Sequence, residues 1–302
     1  MSEYAHYLRT IYDDIDKRLA STMPKDIYDI TAGGKKLRGM LTILVFEELS
    51  DMQDTSQKTK AYDLACVIEV IHALTLAADD IIDQDDMRRD KPSLYTLKGF
   101  SLAFLEILSG LSVPYGIVAP YGPEYVNAIA DTQRTMCAGV VKEIIRDMPA
   151  SALYETIISR KTGSLFALAA RFGAMAAGAS DEEIDRFVVF GKMLGNTYQV
   201  QDDIQDLLNV VSGEKTRDEI TGTEFLLLKC VQLDDIAKQM VKDILDGIIK
   251  PEKARSLLYK AGIINALVKK REKEKQRTLE TLGYGHAMLS RYVEYCVPAK
   301  FL

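Results

Sequence analysis

Two Asp-rich clusters of the same form each interrupt a long apolar helical repeat: Asp79-Asp80-Ile81-Ile82-Asp83 and Asp202-Asp203-Ile204-Gln205-Asp206. In each, two carboxylates stand four residues apart with a third beside the first, and positions i and i+4 share one face of a helix. An apolar helix that projects several like charges from one face must turn that face toward something positive. Two such faces opposed across a cavity would make a multi-metal site, and an all-oxygen donor set suits Mg²⁺. The first cluster also falls near the C-terminal end of its helix, where the helix dipole disfavours anions, and Asp85 and Asp86 follow at once. A solvated acidic helix end accounts for one such cluster. Two of identical spacing favour the metal reading.

The rest of the chain reads as helix. Over 62–83 the apolar residues Leu64, Val67, Ile68, Ile71, Leu74, Ala78 and Ile82 recur at three-to-four spacing, and 184–208 repeats this through Phe187, Val188, Met193, Leu194, Tyr198 and Ile204. The Ala- and Gly-rich run 161–179 suits close helix–helix contact, with Lys161-Thr162 opening that helix. Breaks fall at Pro24, Gly33-Gly34, Lys91-Pro92, Pro114, Pro120 to Pro123, Pro149, Ser212-Gly213 and Pro251. No strand-like alternation stands out. If the two Asp motifs serve one site, residues 1–302 form a single all-helical domain rather than two.

Composition narrows the function. A net charge of −6 argues against general nucleic-acid binding. Four cysteines, none closely paired, and three histidines argue against a disulfide framework or a zinc site and for a reducing, cytoplasmic setting. The start MSEYAHYLRT lacks the marks of a signal peptide, and the longest apolar runs, broken by Glu69 and His72 or by Arg171, read as too short to span a membrane.

Basic residues flank the acidic ones. Arg88-Arg89 follows the first motif; it either neutralises the acidic helix end or grips phosphate oxygens, to which the planar guanidinium fork is suited. Gly33-Gly34-Lys35-Lys36-Leu37-Arg38 either starts a helix or brings backbone, Lys35 and Arg38 against a phosphate; it lacks the spacing of a nucleotide P-loop. His72 stands two turns before Asp79 on the same helix face. Gln199 stands three residues before Asp202.

In this order, Gly33–Arg38, His72, Asp79–Asp83, Arg88-Arg89, Lys161-Thr162, and Gln199 with Asp202–Asp206, the chain resembles the trans-isoprenyl diphosphate synthases, the polyprenyl synthetase family, most like a geranylgeranyl or farnesyl diphosphate synthase. The resemblance implies an all-α bundle of long helices around a deep central cavity, a homodimer, and Mg²⁺-dependent condensation of isopentenyl diphosphate with an allylic diphosphate. It implies that Asp79 and Asp83 bind two Mg²⁺ ions and Asp202 leads binding of a third, with Asp80, Asp203 and Asp206 in support. Arg88 and Lys161 would hold the allylic diphosphate; Lys35, Arg38, His72 and Arg89 would hold isopentenyl diphosphate; Thr162 and Gln199 would turn dipoles toward the allylic cation.

In the family, the wall below the first motif limits product length. Here that wall is Leu74 and Thr75, with Ile71 one turn deeper. None is aromatic, so the expected product is longer than farnesyl diphosphate, with geranylgeranyl diphosphate the best match; Phe104, Phe166 and Met136 are alternative floor residues. The chain departs from the family pattern in several places. Gly39 stands where Pro is common, Ala78 and Tyr95 where His is common, and a Gly-Asp pair is absent around Leu105–Leu111. No Lys aligns near Thr223, where Lys215 is a candidate substitute. Two alternatives remain: a terpene cyclase of the same fold, which needs no second diphosphate site, and a non-catalytic subunit of a heteromeric synthase. The lysine-rich stretch Lys269–Lys275 reads as a solvated helix face, and Val297–Leu302 carries no signal.

Overall fold

The computed structural model describes residues 3–50, 54–89, 91–212, 227–228, 230–231, 235–245 and 248–299. The expected positions of Lys215 and Thr223 lie outside the described residues. The fold is all-α. Its helices are α1 (Glu3–Thr22), α2 (Lys25–Thr31), α3 (Leu37–Leu49), α4 (Thr55–Asp83), α5 (Leu94–Gly110), α6 (Ser112–Val118), α7 (Pro123–Ile145), α8 (Ala150–Ile157), α9 (Ser164–Ala176), α10 (Asp181–Ser212), α11 (Asp235–Leu245), α12 (Pro251–Lys260), α13 (Ile263–Leu282) and α14 (Ala287–Cys296). A two-residue antiparallel ribbon, β1 (Met87–Arg88) with β2 (Lys91–Pro92), is too short to leave a periodic signal. It turns the chain back immediately after the first Asp motif.

Helix α4 is 29 residues long. The Asp54 carboxylate caps its start, accepting from the Ser56 and Gln57 amides and so satisfying two donors that have no partner within the helix. The helix stops where Gln84 takes the left-handed conformation. Helix α3 is buried along its whole length from Leu37 to Phe46, sandwiched between α4 and α9.

Small residues set the spacing of this stack. A Cβ added at Gly173 on α9 would lie 2.4 Å from the Thr42 carbonyl oxygen on α3, and one at Gly191 on α10 would lie 2.5 Å from the Phe166 carbonyl oxygen on α9. Thr42 Oγ1 also donates to the Ala169 carbonyl at 3.0 Å. The Ala/Gly run thus serves close helix contact, as its composition predicts.

Two apolar clusters result. One joins α1, α3, α4, α9, α14 and the first half of α10; the other joins α8, α12, the front of α13 and the second half of α10. Helix α10 runs through both. Phe187, Phe190 and Leu194 belong to the first cluster and Val200, Ile204 and Leu207 to the second.

Three expectations change. Lys161-Thr162 does not open α9; both lie in a π-helical turn, Ile158–Gly163, between α8 and α9. Such a turn takes an extra residue per loop and re-aims side chains, a geometry frequent at functional sites. The stretch Lys269–Lys275 is not wholly solvated: Arg271 and Lys275 are buried, because residues 297–299 fold back over that face of α13. Finally, residues 94–121 form a helical stretch long and apolar enough to cross a membrane, which the sequence reading passed over. Gly99 kinks that stretch at φ +73°, and Leu97, Phe100, Leu102, Phe104, Leu105 and Leu108 on it are exposed.

Gly173→Ala is expected to force α3 and α9 apart. It should lower stability by about 1–3 kcal/mol, the scale of overpacking a tight core. A reduced urea midpoint with an unchanged slope would show it; an unchanged midpoint would mean the helices part freely.

Candidate active site

The first Asp motif closes α4. Buried Asp80 accepts from Arg88 Nε at 2.7 Å, and a second Arg88 nitrogen bonds the same oxygen. Arg88 also lies 3.6 Å from Asp85. Arg88 therefore does at least what the simpler sequence reading gave it: it neutralises the acidic helix end. Asp79 faces a different cation. Lys161 Nζ, delivered by the π turn, lies 3.3 Å from Asp79 Oδ2 and 3.0 Å from Glu143 Oε2 on α7.

Glu143 was invisible to sequence reasoning. It belongs to no motif, and only the packing of α7 against the π turn brings it here. The Asp79 carboxyl is pushed up to about 6; burial is the main cause, Lys161 opposes it, and Asp83 and Glu143 add to it. Burial raises Asp80 and Asp83 as well.

The second motif lies on α10. Asp203 is buried; its Oδ2 accepts from the Tyr154 hydroxyl at 2.7 Å and its Oδ1 from Gln199 Nε2 at 2.8 Å. Gln199 Oε1 in turn accepts from the Thr162 hydroxyl at 2.7 Å. Thr162, Gln199 and Asp203 therefore form one chain of hydrogen bonds linking the π turn to α10. Asp202 immediately precedes Asp203 and Asp206 follows it by three residues, and the Asp202 charge reaches Arg38.

The Gly33–Arg38 element meets both motifs. Arg38 is 8% exposed, with its guanidinium 4.6 Å above the Phe166 ring. Arg38 Nη1 lies 3.0 Å from His72 Nε2. Guanidinium can only donate, so Nε2 accepts and the ring proton sits on Nδ1. Burial, with Arg38, Arg89 and Arg88 nearby, holds His72 well below its ordinary value and so neutral.

Arg89, in a left-handed conformation, donates to the Ala32 carbonyl at 3.0 Å, and its guanidinium packs over Gly34, 2.9 Å from where a Cβ there would lie. Of the two lysines, Lys35 is exposed, whereas Lys36 turns inward to Asp16 at 2.8 Å and Tyr12 at 3.2 Å. Gly39, where the family pattern has Pro, donates its N–H to buried Glu69 at 2.7 Å. Proline has no such donor.

The wall candidates separate. Thr75 is partly open on the face that carries His72 and Asp79. Ile71 and Leu74 are sealed in helix packing, Leu74 against Gly110 and Ile27. Among the alternatives, Phe104 is 50% exposed on α5, outside the bundle; Phe166 supports Arg38; and Met136 is core.

Among the described residues, no three His, Cys, Asp or Glu side chains are gathered closely enough to hold an ion as they stand. The donor set nevertheless suits Mg²⁺. It offers only hard oxygen ligands, and crowded carboxylates raised above their ordinary range, half-buried Asp79 and exposed Asp83, are stabilised by a divalent cation. The four cysteines are free thiols, so no disulfide braces the site.

The all-α bundle is shared by solved prenyl diphosphate synthase structures. The geranylgeranyl pyrophosphate synthetase of Pyrococcus horikoshii Ot3 shares this fold at a TM-score of 0.77, with 22% identity over 99% of this chain and 100% of that one. The polyprenyl synthetase family model matches residues 22–260, and the chain belongs to that family. The nonaprenyl diphosphate synthase of Mycobacterium tuberculosis is 33% identical over 199 residues, 64% of this chain and 58% of that protein. The geranylfarnesyl diphosphate synthase of Methanosarcina mazei is 29% identical over 214 residues, 70% of each. The matched region thus spans less than two thirds of the mycobacterial relative.

The raised Asp79 carboxyl has a consequence for stability. Between its ordinary unfolded value and about 6, the folded chain holds a proton that the unfolded chain has released. Stability of the metal-free protein therefore falls as pH rises through that window, by on the order of 3 kcal/mol from this group. Asp79→Asn should raise the urea midpoint at about pH 8, with a gain that shrinks as pH falls toward about 4. A destabilised variant at the higher pH would mean that Lys161 outweighs burial.

Proposed function

We propose that this chain, as one all-helical domain, condenses isopentenyl diphosphate with an allylic diphosphate to give a short-chain all-trans product, geranylgeranyl diphosphate the best match. The observation that carries the reading is the convergence of Arg38, His72 and Arg89 on the same end of the bundle as both Asp motifs. A cyclase needs only the acidic faces; the separate basic clasp suits a second diphosphate.

Each group has a task. Arg38, held over Phe166 and against neutral His72, presents fixed charge to the isopentenyl diphosphate. Lys35 and Arg89 add to it from the exposed rim. Lys161 is aimed by Glu143 and Asp79 at the first motif, where an allylic diphosphate would rest, and Arg88 supports it from the ribbon. Asp79 and Asp83 would hold divalent ions, Mg²⁺ by preference, on one side, and Asp202 with Asp206 a third on the other. Asp80 and Asp203, already engaged by Arg88, Tyr154 and Gln199, position those helix ends.

When bound, the ions supply positive charge that stabilises a departing diphosphate. Thr162 and Gln199, joined by their hydrogen bond beside the second motif, would offer oxygen dipoles to an allylic cation, which needs a site closed to water. The isopentenyl double bond then attacks, and the released diphosphate takes the proton. The exposed apolar row on α5 is covered by a second copy of the chain, which gives the family's homodimer, and the protein works in the cytoplasm.

Incubation with Mg²⁺, isopentenyl diphosphate and, separately, allylic primers of increasing length tests the reading, with products separated by chromatography. Elongated diphosphates are expected. Turnover of the primer alone would point to the cyclase, and activity only with a second subunit to the partner role. Asp79→Ala and Asp202→Ala should each lower turnover by at least ~100-fold, the scale for a major electrostatic stabiliser; near-normal rates in both would sink the metal assignment.

Product length gives a further expectation. Thr75→Phe should shorten the product, because Thr75 is the wall candidate open on the Asp79 face. An unchanged distribution would move the wall elsewhere. Leu74→Phe should chiefly destabilise the α4–α5 contact.

A further inference from the structure

Arg271 on α13 is 1% exposed although it is an arginine in a run of charged residues. Its guanidinium is spent on three places at once. Nη1 donates to Gln201 Oε1 on α10 at 2.8 Å and to the Pro298 carbonyl at 3.2 Å; Nη2 donates to the Ala299 carbonyl at 3.2 Å and pairs with Glu272. One turn along, buried Lys275 donates to the Val297 carbonyl at 2.9 Å and pairs with Glu294 on α14. Residues 297–299 are thereby pinned to α13, and α13 to α10.

The tie on α10 is placed next to the chemistry. Gln201 immediately precedes Asp202 and is itself buried. On the opposite side of α10, Gln199 and Asp203 are held by Thr162 and Tyr154. At about 100° per residue, Gln201 stands roughly opposite Gln199, Asp202 falls between the two held faces, and Asp206 lies close to the Gln199 face. A helix clamped on two opposite sides cannot rotate about its axis. The direction of Asp202 is therefore fixed from two sides, on one of them by Gln201 and Arg271.

We propose that Arg271, acting through Gln201, is a positioning residue for the second Asp motif, and that residues 297–299 complete the brace. This rests on the reading of Asp202 as a metal ligand. A carboxylate directed into place needs no reorientation to take up a divalent ion, so loosening the brace weakens ion uptake at that motif. Arg suits the role because its planar fork reaches a side-chain amide and two carbonyls together, which a lysine cannot do. The second tie between these helices, Thr278 Oγ1 to Thr197 Oγ1 at 3.0 Å, lies further from Asp202 and provides a control.

The experiment is a calorimetric titration of Mg²⁺ into the full chain with inorganic diphosphate present, with thermal unfolding recorded for each variant. Gln201→Met and Arg271→Met should each raise half-saturating Mg²⁺ by about tenfold, the lower end of the effect of disturbing groups that orient a metal ligand. The double variant should cost no more than either alone, and Arg271→Lys should recover part of the loss. Thr278→Val should lower the unfolding midpoint without changing the Mg²⁺ requirement. Gln201→Met leaves the guanidinium its two carbonyl partners, so it decides the matter even if Arg271→Met fails to fold. An unchanged Mg²⁺ requirement in Gln201→Met, while Asp202→Asn loses uptake, overturns the positioning role alone. Full uptake by Asp202→Asn overturns the metal reading beneath it.

Discussion

Carboxylates buried on apolar helices have to be compensated, and the arrangement of the functional end of the molecule follows from how that is done. Asp80 is answered by Arg88, Asp79 and Glu143 share Lys161, and Asp203 is answered by neutral donors, Tyr154 and Gln199. Each solution draws in a separate element. The ribbon after α4 swings Arg88 back onto Asp80. The π turn re-aims Lys161 and Thr162 away from the register α8 would have given them. What stays uncompensated, as the raised Asp79 and Asp83 show, is the demand that a divalent ion would meet.

The same economy governs the basic side. Arg38 is buried with neutral His72, an aromatic face and the distant charges of Glu69 and Asp202, with no direct carboxylate partner among the described residues. A guanidinium held this way keeps its attraction for an incoming anion. Lys36, by contrast, is consumed by Asp16 and Tyr12 and serves to dock α3 on α1. Two adjacent lysines of the same motif therefore do different work, because Lys36 takes a left-handed conformation that turns its side chain inward. The close stacking of α3, α9 and α10 through Gly173 and Gly191 keeps these groups within reach of one another.

Much of this was readable in the residues. Helical spacing gave the long helices, and the two-turn, seven-residue spacing placed His72 and Asp79 on one face, where Arg38 meets His72. Other features left no local trace. Glu143 is one acidic residue among many on α7 until that helix packs against the π turn. Arg271 and Lys275 sit in a charge run that reads as solvated, and only the return of residues 297–299 buries them. Among Ile71, Leu74 and Thr75, spacing alone does not tell which is sealed; the neighbouring Gly110 takes Leu74 and leaves Thr75 open.

By itself the sequence determined the all-helical class, the two carboxylate-bearing helix faces and the basic residues beside them, because periodicity and local charge are properties of short stretches of chain. Tertiary structure decided which charges face each other, which lysine points inward, and which residues orient the second Asp motif. Those outcomes depend on contacts between residues far apart in sequence, such as Lys161 with Asp79 and Arg271 with Gln201, and such contacts exist only once the helices have packed.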